Sequence, residues 1–462
     1  MAVARLSPAG NLVLSATYGR ELIAAIESVS RDEQLSIEYS RQWLNSPDRF
    51  PLSWRIPIGA HANRSRDLKD HLCNLLPEGM GLQVAATRYQ VALSNVFALS
   101  MYLLREPAGA IGFALQTDES CLPDEEEPIY REVRDDELSM RIRGRAKRPF
   151  SFWDGHDYRG LAGSQDKIQV MFADDRLYLV RGSINSTHVL KPETTNPRAP
   201  MMVANEHFCM SLAAALGLSV AKVEIKRTPE PVLLVERFDR KRPPTDERLF
   251  LPGQVERLHT IDACQAMGTG PKLKYECPDG VDGRQKAVRT GLGFRSLFGL
   301  SGQFMVPNEG RMAILRWAIF NLLIGNSDAH AKNFSFFQNE MGIMPAPYYD
   351  LVSTAVYSLA PQMAMVFGDT LLARDVSEAD LIKFAAEAGT AEIVLAQEIR
   401  DMASAAMVHA PELAKMDAYL PDERELLAKI VEIIARQGNL LLSIASSQTR
   451  AAKLGLASHT KL

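Results

Sequence analysis

The segment NSDAHAKNFSFF sets a carboxylate, Asp328, five residues ahead of a carboxamide, Asn333. Phosphoryl transfer needs such a pair held close together. The carboxylate orients an incoming hydroxyl and accepts its proton, and the carboxamide oxygen is a ligand for magnesium. Protein kinases present the two on one loop at this D-x-x-x-x-N spacing. Taken alone the spacing is a weak signal. His330 and Lys332 lie inside it. Their plain account is loop support and solvation, and their chemical one is contact with phosphate or substrate. Asp350, in YYDLVS, follows shortly after the loop. A kinase places its main magnesium ligand there, although here two tyrosines precede the acid and no glycine follows. By itself Asp350 reads as a turn or cap residue. With Asp328 and Asn333 the order becomes base, metal ligand, metal ligand.

Upstream segments supply what a nucleotide would need. Lys191, in THVLKPE, ends an apolar strand and can hold an ammonium over phosphates, though most lysines are merely solvated. Glu206, in NEHFC on the next helix, is the natural acid to pair with it. LAGSQDK offers Gly163, Ser164, Gln165, Asp166 and Lys167 just before a strand. A glycine among small residues there lets backbone N–H groups approach phosphates. The chain has no G-x-G-x-x-G and no Walker A lysine, so it is not an ordinary Rossmann or P-loop protein. VERFDR carries Glu236, Arg237 and Phe238 out of a strand, where a hinge would cup adenine. For Phe238 a simple core role competes evenly.

Composition bounds the answer. The chain has 462 residues, 46% hydrophobic and 23% charged. That is ordinary globular composition for two or three domains. A net charge of −4 argues against a chain whose main business is coating nucleic acid. Five scattered cysteines without a C-x-x-C pair make a disulfide framework or zinc site a poor expectation and point to the cytoplasm. No apolar run is long enough for a membrane span, and the N-terminus reads as the start of a folded domain rather than a signal peptide. No H-E-x-x-H occurs among the nine histidines, so a zinc hydrolase has no support.

Elements must position these groups. Residues 10–60 read as short strands, NLVLSATYG, GRELIAAIESV, EQLSIEY and PLSWRIPIG. DLKDHLCNLLPEG predicts a helix stopped at Gly79, and NVFALSMYLL predicts another. The acids Asp124 to Glu127 and the basic run Arg141 to Arg148 read as solvated surface. KIQVMF, RLYLV, STHVLK, VEIKR and PVLLVERF predict strands, with a helix over NEHFCMSLAAALG. Beyond residue 255 the pattern turns helical. MAILRWAIFNLLIG is a buried helix that delivers the Asp328 loop rigidly. SEADLIKFAAEAG runs from an N-cap at Ser377 to a stop at Gly389. ERELLAKIVEIIARQG puts Leu426, Leu427, Ile430, Val431 and Ile434 on one face.

The ordered set LAGSQDK, THVLKP, NEHFC, VERFDR, SDAHAKNFS and YYD resembles the HipA-type toxin serine/threonine kinases of bacteria. HLCNLLPEG and NVFALSMYLLREPAGAIGF resemble that family's N-terminal domain, so the likeness spans about residues 10–440. It implies an α+β, kinase-related (PI3/4-kinase-like) fold with a β-rich N-terminal part and an all-helical C-terminal subdomain. Residues 1–120 would be the N-terminal β-rich domain, 121–250 the nucleotide-binding part and 251–462 the helical subdomain with the catalytic loop. It implies ATP and magnesium as cofactors, with ATP between the strand-rich middle and the helical back half. Asp328 would be catalytic, Asn333 and Asp350 metal ligands, and Lys191 the phosphate lysine. Gly163 to Lys167 would form the nucleotide loop, Glu236 to Phe238 the adenine-side strand, and His330 and Lys332 part of the ATP-contacting loop.

The resemblance also implies partners: a small helix-turn-helix antitoxin, operator DNA reached through it, and a protein substrate, typically an aminoacyl-tRNA synthetase. Two departures stand out. The family's nucleotide loop begins with an autophosphorylated serine, where this chain has Ala162. The nearest hydroxyl is Ser164, and a phosphate there would add roughly two negative charges. Near FGDTLLARDVSEAD no lysine cluster stands ready for DNA phosphates. The same base and metal set would serve a small-molecule or lipid kinase, and a non-catalytic co-regulator that binds the antitoxin is the alternative of another class.

Overall fold

A computed structural model describes residues 11–29, 34–59, 65–116, 127–158, 160–163, 165–278 and 288–459, with side chains as far as 446. Ser164, Cys121 and most of the acidic run from Asp124 fall outside them. Backbone contacts divide the chain into two units. The first holds residues 1–192, 226–271 and 336–343, and the second holds 193–225, 272–335 and 344–462.

The first unit opens with Val13–Tyr18, Glu21–Ser28 and Leu35–Tyr39, closed into an antiparallel sheet by Ile111–Leu115 beside Val13–Tyr18. The expected strands are there, except over PLSWRIPIG. Its only ladder contact is a bridge from Ser53 to Ile56, as expected for a run whose prolines remove ladder donors. One face of this sheet packs on helices Ser65–Leu75, Gly79–Tyr89 and Val96–Leu103. Gly79 therefore opens a helix rather than ending one. The stop falls earlier, before Pro77, which cannot continue a helix. Tyr18, Trp43 and Phe50 meet edge to face, and Trp43 Nε1 donates to the Phe50 carbonyl at 3.0 Å.

A second antiparallel sheet in this unit runs in the order Pro231–Glu236, His188–Pro192, Ile168–Ala173, Arg176–Arg181, Ile129–Val133. Its buried side chains, Ile168, Val170, Leu190, Val232 and Leu234, pack with Phe150 and Trp153. Each such side chain contributes about 1.5–3 kcal/mol on burial. The basic run is less solvated than expected. Helix Asp135–Gly144 lays the Arg141 guanidinium 4.4 Å from the centre of the Trp153 ring.

The second unit is mainly helical: Met202–Ala215, Pro307–Ile324, Glu378–Ala388, Glu392–Leu413 and Pro421–His459. Ser377 does cap its helix, in a capping box with Asp380, and Gly389 ends that helix in the left-handed region. Leu426, Leu427, Ile430 and Ile434 are buried as expected, joined by Ile433, while Val431 is half-buried. The C-terminal part is not all-helical. Strands Gln362–Phe367 and Thr370–Leu372 pair within it. QMAMVF is a short, nearly continuous apolar run, whose periodicity does not tell strand from helix. Phe294, Phe367 and Phe384 pack edge to face or tilted at 4.6–5.1 Å, and Phe294 reaches Trp317.

Candidate active site

The Asp328 loop hangs from helix Pro307–Ile324, whose C-terminal turn is fixed by short polar side chains. Gly325 ends the helix at φ +66°, and its N–H returns to the Asn321 and Leu322 carbonyls. An added Cβ there would lie 2.7 Å from the Ala355 Cβ, so only glycine suits the place. Asn326 Nδ2 donates to Asn321 Oδ1 at 2.8 Å, and Asn326 Oδ1 accepts from the Asp328 N–H at 3.0 Å. Thr354 Oγ1 accepts from the Ser327 N–H at 2.6 Å and donates to the Gly325 carbonyl. The loop is thus tied to the segment just after Asp350.

Within the loop, the His330 N–H donates to the Asp328 carbonyl at 2.8 Å, and Asn333 Nδ2 donates to that same carbonyl at 3.1 Å. Asn333 is thereby oriented, and its carboxamide oxygen remains as an acceptor of the kind magnesium takes. His330, Lys332 and Asn333 are buried, while Asp328 is exposed and Asp350 half-buried. Asp350 sits at φ +57°, a conformation that asparagine and aspartate tolerate better than most residues. Burial, then the Lys274 ammonium, pushes the His330 imidazole down to about 3, with Asp350 opposing and Lys332 adding to the shift. The ring is therefore neutral at neutral pH, and its Nδ1 has no hydrogen-bond partner among the described residues. Tyr349 O–H donates to the Lys332 carbonyl at 2.5 Å, and its oxygen lies 2.8 Å from Ser335 Oγ.

One neighbour was not anticipated. Tyr275 O–H donates to Asp328 Oδ1 at 2.5 Å, and its ring stands edge to face with His330 at 5.1 Å. Nothing near either residue in sequence announces this contact, because 53 residues separate them.

The second unit brings together Asp328, His330, Lys332, Asn333 and Asp350, and it also holds buried Glu206 on helix Met202–Ala215. The remaining candidates belong to the first unit. Lys191 is buried on strand His188–Pro192, paired across to Leu233. Gly163 has φ +110°, and its carbonyl accepts from the Glu78 N–H at 3.1 Å. Lys167 Nζ donates to the Ala162 carbonyl at 2.5 Å, folding the loop on itself. Gln165 is half-buried and Asp166 exposed. Half-buried Glu236 closes its strand opposite His188, and Phe238 stands edge to face with Phe337 at 6.0 Å. Arg237 turns its side chain into a buried network: its guanidinium donates to Asp239, to Ser186 Oγ at 3.0 Å and to the Pro107 carbonyl at 2.9 Å. Its side chain is thus committed to the fold of this unit.

An exposed carboxylate beside an oriented carboxamide and a second acid can accept a proton and ligate a hard cation. Comparison with known proteins supplies the class. Relatives similar over most of the chain are kinases, one of them a serine/threonine-protein kinase toxin, HipA of Shewanella oneidensis. It is 34% identical over 79% of this chain and 80% of its own length. A putative kinase of Sinorhizobium fredii is 33% identical over 78% and 82% of the two chains. The solved structure of Shewanella oneidensis HipA, in complex with HipB and its operator DNA, matches with a TM-score of 0.82 at 30% identity. The match covers 94% of this chain and 98% of that one. Residues 14–114 match the HipA N-terminal domain, and residues 159–410 match the HipA-like C-terminal domain.

The chain is therefore a protein kinase of the serine/threonine class. It belongs to the HipA family of toxin kinases.

Proposed function

We propose that this kinase transfers the terminal phosphate of ATP to a serine or threonine of a translation protein, such as an aminoacyl-tRNA synthetase, and thereby arrests growth as the toxin of a toxin–antitoxin pair. The observation that carries the chemical part is the division within the Asp328 loop. Asn333, Lys332 and His330 are buried and hydrogen-bonded into the fold, while Asp328 is exposed where a protein substrate could meet it.

In this reading Asp328 orients the acceptor hydroxyl and takes its proton. Asn333 and Asp350 would hold magnesium, which when bound offsets negative charge on the phosphates. The donor set fits: one carboxamide oxygen already aimed by its own N–H bond, one carboxylate, and a neutral imidazole that adds no cation charge beside them. Lys332 and His330 contact the nucleotide, Lys191 and the 163–167 loop hold its phosphates, and the segment Glu236 to Phe238 lines the adenine, Arg237 through its backbone alone. Fixed charges and positioning supply most of the rate, as expected for phosphoryl transfer.

The kinase-related fold is of the PI3/4-kinase type, divided at residues 120 and 250. The antitoxin is a small helix-turn-helix protein, operator DNA is reached through it, and the pair works in the cytoplasm. Among the described residues no helix is long and apolar enough to cross a membrane.

The test is labelled ATP with a cell lysate. Asp328→Gln should lower phosphate transfer to protein by at least about a hundredfold, with an unchanged melting temperature because the side chain is exposed. Equal transfer by wild type and variant would sink the kinase centre as drawn.

A further inference from the structure

Tyr275 belongs to a short segment that is held on both sides. The Lys274 carbonyl accepts from the Ala331 N–H at 3.0 Å, inside the Asp328 loop itself. The Glu276 N–H donates to the Ala364 carbonyl at 2.9 Å. The buried Glu276 carboxylate accepts from the Val366 N–H at 2.7 Å and from Arg289 Nε at 2.5 Å. A Cβ on Gly291 would fall 1.8 Å from the Tyr275 carbonyl oxygen, so a glycine packs against the segment from behind. The ring is braced by His330. A tyrosine fixed this firmly is placed to hold its partner, rather than to be drawn into place by it.

Its partner is the proposed proton acceptor. An aspartate at an exposed position turns readily about its side-chain bonds, and rates fall steeply when a reacting group strays from its productive geometry. We propose that Tyr275 is the positioning residue of the phosphotransfer centre: its phenol pins Oδ1 of Asp328, so that Oδ2 faces the acceptor hydroxyl. This inference rests on the assignment of Asp328 above. The acceptor O–H bond breaks with its proton passing to Oδ2, an O–P bond forms, and the bond to the leaving ADP breaks. Tyr275 touches neither substrate nor phosphate in this scheme. The charged groups that act on His330, the ring set against Tyr275, are Lys274, Asp350 and Lys332.

The experiment measures transfer from ATP to a fixed amount of lysate protein for wild type, Y275F, Y275L, D328N and the D328N/Y275F double variant. A positioning phenol predicts that Y275F loses about tenfold in rate at saturating ATP. Its KM for ATP should stay within about twofold of wild type, because a group felt only in the transfer step leaves nucleotide binding alone. Y275L should lose about as much as Y275F, since the hydroxyl is the working part. In the D328N background Y275F should have little further effect, as for two groups acting through one contact. A merely structural ring predicts instead that Y275F matches wild type and only Y275L falls, which overturns the proposal. The melting temperature of Y275F separates misfolding from lost positioning: an unchanged melt with a lowered rate supports it, and a rate that falls only in step with a lowered melt overturns it. Full activity in D328N would refute the underlying assignment, whereas a dead D328N beside an unaffected Y275F would refute Tyr275 alone.

Discussion

At the residue scale the first unit contains a costly arrangement of buried charge. Arg237, Arg240, Asp239 and Glu106 are all buried or nearly so. Burial alone would raise the Asp239 carboxyl, but Arg237 and Arg240 more than reverse it and hold it well below the usual carboxylate range. Burial, then Arg237, pushes the Arg240 guanidinium down to about 10, against the pull of Asp239 and Glu106. The Gly109 N–H donates to Asp239 Oδ2 at 2.7 Å, so the network also anchors the loop that leads into strand Ile111–Leu115. Such a cluster is neutral or worse against a hydrophobic replacement of the whole, yet losing one member leaves a charge uncompensated. Arg237→Met should therefore destabilise the protein by about 3–5 kcal/mol, read as a lower midpoint in denaturant unfolding. Reading VERFDR as a nucleotide-side segment located the strand end, but it did not foresee that the arginine faces inward. That depended on Glu106 and Asp239, which converge only after the chain folds.

At the element scale the hinge of the site is Gly325. The helix before it was legible as the apolar run MAILRWAIFNLLIG, and the structure has a helix there that begins earlier, at Pro307, and ends at Ile324. What the pattern did not contain is the neighbour packed on that turn. Ala355 and Ile433 both lie within 3.2 Å of where a Cβ would stand. Gly325→Ala combines left-handed strain with this clash, and we expect a loss of about 1–3 kcal/mol, seen as a lower melting temperature. Because Asn326 to Asp328 start at this turn, the same variant should reduce phosphate transfer more than its lost stability explains, measured below its melting range. The helix over SEADLIKFAAEAG makes the contrast. Its signals, a serine cap and a terminal glycine, are local, and both were realised as read.

At the scale of the whole molecule stability must depend on pH. His259 is buried in the first unit, stacked on Phe50 at 4.7 Å, and its Nε2 donates to the Leu52 carbonyl at 3.0 Å. Burial pushes it down to about 4 from the ordinary 6.5. In the window between those values the unfolded chain binds the proton and the folded chain does not, so stability falls as pH drops from 6.5 toward 4. The slope from this residue reaches about 1.4 kcal/mol per pH unit at most. Melting curves at pH 7.5 and 5 should differ accordingly, and His259→Gln should narrow the difference. A larger difference in the variant would contradict the assignment.

Taken by itself, the sequence determined the order of the chemistry-bearing segments, the strands and helices with local signals, and the family to which they belong. Those properties reside in spacing, periodicity and capping residues, each confined to a few positions. Tertiary structure alone decided which groups became neighbours. It set Tyr275 against Asp328 across 53 residues, turned Arg237 inward onto Asp239, and brought Thr354 back onto the turn that carries the Asp328 loop. It also made strands of Gln362–Phe367 and Thr370–Leu372 where a helical region was expected. Hydrogen bonds and burial between distant segments fix such pairings, and no local residue pattern encodes them. The D-x-x-x-x-N spacing named the loop, and the folded chain supplied what holds it in place.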